Sequence, residues 1–172
     1  MKAAIFKEAR NLEVVEVPVP IPTEDEILIK VDYCGICGSD LHTYTKGLYV
    51  TPGQIMGHEF AGVVKEIGAN VRGLTNGQKV VIRPLIECGS CQHCIAGMPH
   101  LCANGLVDGI GYGRPGAFAE YITIPKPLIN KVVFPLPDNI STKEAALIEP
   151  LAVAIHGVKL ANIELADKVV VF

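Results

Sequence analysis

Four of the six cysteines lie close together in the sequence, between residues 88 and 102. Their spacing is C-x2-C-x2-C-x7-C, and the residues between them are mostly small, polar or typical of turns. Four thiolates at this spacing match the closed tetrahedral all-cysteine site in which proteins hold structural zinc. The predicted ligands are Cys88, Cys91, Cys94 and Cys102. We call the segment that contains them, residues 86–104, the cysteine lobe.

Two other chemistries compete with zinc for the cysteine lobe. Disulfides are disfavoured because the N-terminal sequence has no signal-peptide core, which predicts a reducing, cytoplasmic compartment. A bacterial iron–sulfur motif begins with the same spacing, but it continues with three residues before its last cysteine and a proline after it. Here the last gap has seven residues and Ala103 follows Cys102. Zinc is therefore favoured over an iron–sulfur cluster.

The other two cysteines belong to the stretch CGICGSDLH, residues 34–42. Their C-x2-C spacing is compatible with a redox dithiol, with a pair of zinc ligands, or with one ligand beside an inert cysteine. A catalytic zinc needs three protein ligands and one open position. The candidates outside the lobe are Cys34, Cys37, His42, His58, Glu59, Glu149 and His156.

His58 and Glu59 are adjacent in the motif GHEF, which opens a predicted strand. Consecutive side chains in a strand point to opposite faces. Both can reach one ion only if the backbone is irregular there. Otherwise one of them binds the metal, and the other contacts the ligands without touching the metal.

Short β-rich runs separated by glycine and proline clusters make up residues 1–135. This pattern predicts an irregular β-barrel or sandwich, and therefore a mostly β, α+β fold class. The glycine-rich stretch GIGYGRPG, residues 109–116, follows no convincing strand and leads into another one, so we expect it to be a loop. The predicted strands are KAAIF, LEVVEV, EILIKVDY, FAGVVKEIG, QKVVIRP and AFAEYITIP.

Helical patterns begin near residue 141. Ser141 and Glu144 have the spacing of a capping box, which predicts a helix start. Pro150 is expected to end or kink this helix and to push Glu149 out of regular helical geometry. Glu149 is then either a solvated charge at a helix break or a carboxylate available to the site. Apolar residues recur at helical period at Leu147, Ile148, Leu151, Ile155 and Val158.

The final run, ADKVVVF, is typical of a buried strand in a parallel sheet. A single strand cannot satisfy its own backbone hydrogen bonds. We therefore expect the sequence to stop at the first strand of a further domain.

Composition excludes several classes of partner. The chain has 172 residues, 49% of them hydrophobic, and a formal net charge of −3. No cluster of lysine and arginine stands out, so a nucleic acid is not expected. No apolar run reaches the length of a transmembrane helix, so no membrane partner is expected.

Taken together, the motifs CGICGSDLH, GHEFAGVV, the cysteine lobe and GAFAEY resemble, in this order, the catalytic domain of the zinc-dependent medium-chain alcohol dehydrogenases. The resemblance implies a GroES-like irregular β-barrel that carries a zinc lobe and is joined to a Rossmann domain. Residues 1–147 are then the catalytic domain. Residues 148–172 are a connecting helix and the first strand of a dinucleotide-binding domain.

The resemblance also implies roles for single residues. Cys37 and His58 match zinc ligands, whereas Cys34 matches a structural position and is interpreted as a buried small side chain. Ser39 matches the hydroxyl that accepts the alcohol proton, and His42 a residue that passes it toward solvent. Asp40 matches the carboxylate that orients the histidine ligand.

The third zinc ligand stays open between Glu59 and Glu149. Many relatives have cysteine at the position of Glu149, whereas EPLAVAIHG resembles the polyol, butanediol and threonine dehydrogenase branch. In that branch, the zinc is held by cysteine, histidine and the glutamate of GHE, or by the later acidic residue. The two glutamates are also expected to exchange during turnover.

The implied function is a zinc-dependent oxidoreductase that uses NAD or NADP to oxidise a secondary alcohol such as a polyol or 2,3-butanediol. The alternative substrate is L-threonine, because GRPGAFAEY resembles threonine dehydrogenases. We expect two zinc ions per chain, no cofactor-binding residues in this chain, and a homo-oligomer at full length. The chain alone is expected to be inactive. A zinc-binding fragment without turnover and a zinc-ribbon interaction module are the non-enzymatic alternatives; the second ligand group disfavours the ribbon.

Overall fold

The structure is a computed structural model that describes residues 1–171. Strands dominate its first 135 residues, and each predicted run of β-branched and aromatic residues forms a strand or contributes to one. The last strand of the series has no counterpart among the sequence predictions. The strands are β1 (Lys2–Glu8), β2 (Asn11–Glu16), β3 (Glu26–Gly35), β4 (Glu59–Ile67), β5 (Lys79–Ile82), β6 (Tyr121–Pro125) and β7 (Val133–Pro135).

Helices are short except for the last one. They connect strands or follow them, and a 3₁₀ turn, Pro99–Leu101, lies within the cysteine lobe. The predicted α+β class, dominated by sheet, is therefore confirmed. The helices are α1 (Gly38–Lys46), α2 (Gln92–Ile95), α3 (Thr142–Ala145) and α4 (Ile148–Ala161).

The strands form two antiparallel sheets. Five of them make one sheet in the order β6-β3-β4-β5-β7, and β1 pairs with β2 in the other. Single bridges from Ala3 to Ala119 and from Ile5 to Ile55 tie β1 to the loops beside the larger sheet. Within residues 1–171 the strands do not close into a complete barrel.

The core lies on one face of the five-stranded sheet. Alternate residues of β3, β4, β5 and β6 point to this face, as the two-residue period of a strand requires. Burial of these side chains fixes the register of the strands, because a slip by one residue would expose every one of them. The central members are Ile27, Ile29, Phe60, Val64, Val80, Ile82, Ile122 and Ile124.

The capping box at the first helix after the sheet is confirmed. Ser141 is the N-cap of α3, its hydroxyl accepts from the Glu144 N–H, and the Glu144 carboxylate accepts from the Ser141 N–H at 2.9 Å. The expectation for Pro150 is wrong. Pro150 lies in the first turn of α4, where the backbone N–H groups have no partner within the helix, so proline removes no hydrogen bond. Glu149 is therefore helical.

The end of the chain differs from its predicted conformation. Residues 168–171 form no strand, because no strand of the described chain runs beside them to pair with their backbone. Phe172, the last residue of the predicted strand, lies outside the described residues. From residue 151 to residue 171 every side chain is exposed, including the apolar stripe of α4.

Among residues 1–171, no helix is both long enough and apolar enough to cross a bilayer.

Candidate metal centre

Three of the predicted ligands of a catalytic zinc meet at the junction of β3, α1 and β4. Cys37 is the N-cap of α1, His58 directly precedes β4, and Glu59 is its first residue. One ligand atom from each, sulfur, nitrogen and oxygen, lies within 4.8 Å of the other two. His58 and Glu59 are buried and Cys37 is half-buried.

An irregular sheet makes this meeting possible. The β3–β4 ladder shifts register between Val31 and Tyr33, and pairs Gly35 with Glu59 beyond the shift. The absence of a side chain at Gly35 leaves the space that the Glu59 carboxylate occupies. A Cβ atom at position 35 would lie 2.4 Å from Glu59 Oε2. His58 itself lies before the first residue of β4, so the alternation of side chains along a regular strand does not separate it from Glu59.

Asp40 connects two of the three side chains. Its Oδ2 accepts the Cys37 N–H at 2.8 Å, and its Oδ1 lies 3.8 Å from His58 Nδ1. Burial raises the pKa of the Asp40 carboxyl above its usual value. His58 Nδ1 is buried and has no hydrogen-bond partner within the described residues. The Asp40 carboxylate is positioned to orient this ring from its Nδ1 side, as carboxylates do for metal-binding histidines.

The other ring nitrogen of His58 faces a residue that the sequence reasoning missed. Tyr112 Oη lies 3.3 Å from His58 Nε2 and 3.2 Å from Ser39 Oγ, and the two rings are 4.9 Å apart. Burial raises the pKa of Tyr112, so its hydroxyl stays protonated. The only signal in the sequence is the position of this tyrosine between two glycines of the GIGYGRPG stretch, which the structure confirms as a loop.

Two residues of the CGICGSDLH stretch do not belong to the three-ligand set. Burial raises the pKa of the Cys34 thiol to about 12, and its sulfur lies 3.5 Å from the Gly35 carbonyl oxygen. A thiol with this pKa is a poor nucleophile and a poor ligand. His42 is exposed, and no hydrogen bond joins its side chain to Ser39 in the described structure.

Glu149 lies near the cluster without joining it. The three-ligand set does not include its carboxylate. Burial, and next the negative charge of Glu59, raise the pKa of Glu149 to about 7. The Glu149 carboxyl therefore lies near the Glu59 carboxylate.

The cysteine lobe brings its four sulfurs into one group. Cys91 Sγ is 3.5 Å from Cys94 Sγ and 4.0 Å from Cys102 Sγ, and Cys88 Sγ is 4.0 Å from Cys94 Sγ. Sulfurs at the corners of a zinc tetrahedron with 2.3 Å bonds are about 3.8 Å apart. These distances fit such an ion and are far too long for disulfide bonds.

The backbone of the lobe favours the thiolate form of two of its four cysteines. The N–H groups of Ser90 and Cys91 lower the pKa of Cys88 to about 6. Backbone N–H groups also lower the pKa of Cys91, whereas desolvation raises the pKa of Cys94 to about 12. A bound cation would deprotonate the coordinating thiols outright. Its positive charge would then compensate the negative charge of the thiolates.

Comparison with known proteins agrees with this geometry. Residues 23–138 match the family described as the alcohol dehydrogenase GroES-like domain. L-threonine 3-dehydrogenase of Xanthomonas campestris pv. campestris (strain B100) is 42% identical over 161 residues, which are 91% of this chain and 46% of that protein.

Solved structures of dehydrogenases have the same fold. Galactitol-1-phosphate dehydrogenase from Escherichia coli superposes with a TM-score of 0.85 at 34% identity, over 94% of this chain and 45% of its own. The 2R,3R-butanediol dehydrogenase from Bacillus subtilis has a TM-score of 0.84 at 31% identity, over 97% and 49%. The chain spans about half the length of the curated relatives it matches.

Proposed function

Because this chain belongs to the alcohol dehydrogenase GroES-like domain family, we propose that it is the zinc-binding catalytic part of a nicotinamide-dependent dehydrogenase. The reaction is oxidation of a secondary alcohol that carries a neighbouring polar group, such as a polyol or 2,3-butanediol. The observation that carries the proposal is the mixed sulfur, nitrogen and oxygen set of Cys37, His58 and Glu59, with the Ser39 hydroxyl beside it.

The donor set suits a catalytic zinc ion, which takes three protein ligands and leaves one position open. When bound, zinc lowers the pKa of a coordinated hydroxyl and polarises a carbonyl. The chain's own residues supply the rest. Ser39 accepts the proton of the alcohol, and Asp40 holds the Cys37 backbone and the His58 ring in place. His42, which is exposed, passes the proton toward solvent.

Glu59 is the third ligand in this proposal, and Glu149 is its alternative. Support for Glu59 comes from its place in the three-ligand set. Support for Glu149 comes from the effect of the Glu59 charge on its pKa, because a charge acts in this way only on a group that lies near it. The two are then able to replace each other as the substrate arrives. A second zinc ion, held by the four cysteines of the lobe, has a structural role.

The nicotinamide is NAD or NADP and binds to a part of the protein beyond the described residues. The named strands pair only antiparallel, whereas dinucleotides bind at the ends of parallel strands. We expect the exposed apolar face of α4 to pack against that part. The 172-residue chain alone is expected to bind an alcohol weakly and to transfer no hydride, since hydride transfer requires both reactants in contact.

L-threonine is the second candidate substrate. The match to an L-threonine 3-dehydrogenase at 42% identity supports it, and threonine also has a polar group beside its secondary alcohol. A homo-oligomer at full length and a cytoplasmic location remain part of the proposal. A zinc-binding protein without turnover is the remaining alternative.

The test is a dehydrogenase assay of the product of the whole open reading frame, beside the 172-residue chain. Each is loaded with zinc and incubated with NAD or NADP and with sorbitol, 2,3-butanediol or L-threonine. We expect nicotinamide reduction only by the whole product, and loss of that reduction in Cys37→Ser. The matched control is Cys34→Ser, which alters a neutral, half-buried thiol outside the three-ligand set. No reduction with any substrate, in a protein that holds two zinc ions, contradicts the proposal.

A further inference from the structure

The loop at residues 109–114 is built to hold one side chain against the metal centre. Gly111 has φ +79° and lies so close to Gly57 that a Cβ atom on it would be 2.6 Å from the Gly57 carbonyl oxygen. Gly57 precedes His58 in the chain, and Tyr112 follows Gly111. This contact between two backbones therefore places Tyr112 directly beside His58.

Further contacts on both sides of the tyrosine fix the loop. The Gln54 side-chain N–H donates to the Tyr112 carbonyl oxygen at 3.0 Å. Arg114 pairs with Asp108 at 3.0 Å, and its N–H donates to the Gly109 carbonyl oxygen at 3.0 Å. A residue held by this many local contacts has little freedom to leave the site, so its hydroxyl is a fixed feature of the centre.

The hydroxyl of Tyr112 has two neighbours, and one of them is also a proposed ligand. It shares a hydrogen bond with Ser39 Oγ at 3.2 Å, and it lies 3.3 Å from His58 Nε2. The lone pair of a neutral imidazole nitrogen serves either a hydrogen bond or a metal, not both. If His58 Nε2 binds the metal, the Tyr112 hydroxyl still shares its hydrogen bond with Ser39 Oγ. It can then form a further hydrogen bond to a ligand in the open position of the metal.

We propose that Tyr112 determines substrate specificity by hydrogen bonding to a second oxygen, on the carbon next to the one that is oxidised. The inference rests on the proposed function and extends it. Ser39 engages the reacting hydroxyl, and Tyr112 is the only other hydroxyl within hydrogen-bond distance of Ser39 Oγ among the described residues. The site therefore presents two adjacent hydroxyls, which match the two adjacent oxygens of a vicinal diol.

This pairing discriminates against simple alcohols. A substrate without the second oxygen leaves the remaining bonding capacity of the half-buried Tyr112 hydroxyl unfilled, and a site built around a hydrogen bond rejects analogues that lack it. One hydrogen bond between neutral groups contributes about 1 kcal/mol. That value corresponds to a preference of about five-fold for the diol from this residue alone.

The test compares 2,3-butanediol with 2-butanol, which has the same carbon skeleton and one hydroxyl. Tyr112→Phe keeps the ring that lies against His58 and removes only the hydroxyl. Tyr44→Phe is the matched control, because Tyr44 is partly exposed and its side chain makes no hydrogen bond in the described structure. The zinc-loaded whole protein is assayed, and binding of each alcohol without nicotinamide is measured by calorimetry.

We expect Tyr112→Phe to lower kcat/KM for 2,3-butanediol about five-fold, mainly through KM, and to leave 2-butanol within two-fold. Calorimetry should show the same loss of diol affinity, with zinc content unchanged. Equal losses for both alcohols, or no loss for the diol, overturn the inference. If Tyr112→Phe does not fold, Tyr112→His, which keeps a ring with a donor, has to retain the diol preference.

Failure of the proposed function is a separate result. A zinc-loaded wild-type protein that oxidises neither alcohol refutes the dehydrogenase proposal, while calorimetry still tests Tyr112. Weaker diol binding by Tyr112→Phe than by Tyr44→Phe then supports the inference, and equal binding by both variants overturns it.

Discussion

The cysteine lobe and the mixed centre gather their candidate ligands in opposite ways. The lobe takes four cysteines from one short segment, with α2 and a 3₁₀ turn between them. The mixed centre takes Cys37 from the start of a helix and His58 and Glu59 from the start of a strand in the middle of the sheet. The first arrangement follows from local spacing, and the second exists only once the sheet has formed.

The cysteine lobe and the mixed centre also differ in how deeply their residues are buried. No residue from 88 to 102 is fully buried, so the lobe has no apolar core of its own. At the mixed centre His58 is 3% and Glu59 7% exposed, and the next residue, Phe60, belongs to the main core. A metal in the lobe therefore stabilises its fold directly, whereas a metal in the mixed centre enters a site that the sheet already holds.

The largest expected effect follows from Cys91→Ser. The variant should lose the metal of the lobe and about 4 kcal/mol or more of stability, a size that point mutations reach only through events such as metal loss. Denaturant unfolding and amide exchange of the lobe measure this. The control is Gln92→Ala, an exposed neighbour in the lobe. A Cys91→Ser protein that unfolds at the wild-type denaturant concentration would remove the structural role of the lobe metal.

A smaller effect, confined to the mixed centre, is expected of Gly35→Ala. The new Cβ atom displaces the Glu59 carboxylate. Zinc affinity at this centre should therefore fall by about 10- to 100-fold, as it does when residues that hold a metal ligand in position are mutated. Competition with a chromogenic chelator measures the affinity. Gly38→Ala is the matched control, because nothing lies within 4 Å of a Cβ atom there. Equal affinities for the two variants would show that the Glu59 position does not matter.

The smallest expected effect belongs to the cap of α3, away from both centres. Ser141→Ala removes the N-cap and should cost about 1 kcal/mol with no change in metal content. The Ser141 hydroxyl and N–H lower the pKa of Glu144. Ionised Glu144 therefore stabilises the folded chain at pH values above the ordinary carboxyl pKa. This stabilisation is lost as the pH falls through the lowered pKa that Glu144 has in the folded chain.

Thermal melts between pH 3 and pH 6 measure this dependence. Glu144→Gln should flatten the acid side of the stability profile relative to Lys143→Ala, a neighbouring exposed change in the same helix. A profile of Glu144→Gln that is as steep as that of Lys143→Ala would assign the acid sensitivity to other carboxylates.

Sequence reasoning was most successful where structure is local. The lobe and the Ser141 capping box depend on residues a few positions apart, and the β-rich runs carry their period in themselves. Pro150 shows the limit of such reasoning, because a proline is tolerated or disruptive according to where the helix begins, and a separate helix, α4, begins two residues before it. Residues 168–171 need a neighbouring strand, which no local pattern supplies.

The mixed centre could be predicted only in part. The motif GHEF and the spacing around Cys37 named the candidates, but their meeting depends on the register shift in the β3–β4 ladder and on the space at Gly35. Tyr112 could not be found from spacing. Its approach to His58 results from the contact of two glycines that are far apart in the sequence.

Metal content of two variants tests the central claim, that the chain holds two zinc sites of different kind. The wild-type protein, Cys37→Ser and Cys91→Ser are loaded with zinc, dialysed against a mild chelator and analysed for zinc per chain. We expect two ions in the wild type after loading, with the ion of the mixed centre released first because that centre is open and has one thiolate. Cys37→Ser should keep only the slowly released ion and Cys91→Ser only the rapidly released one. Loss of the same ion by both variants would contradict the account.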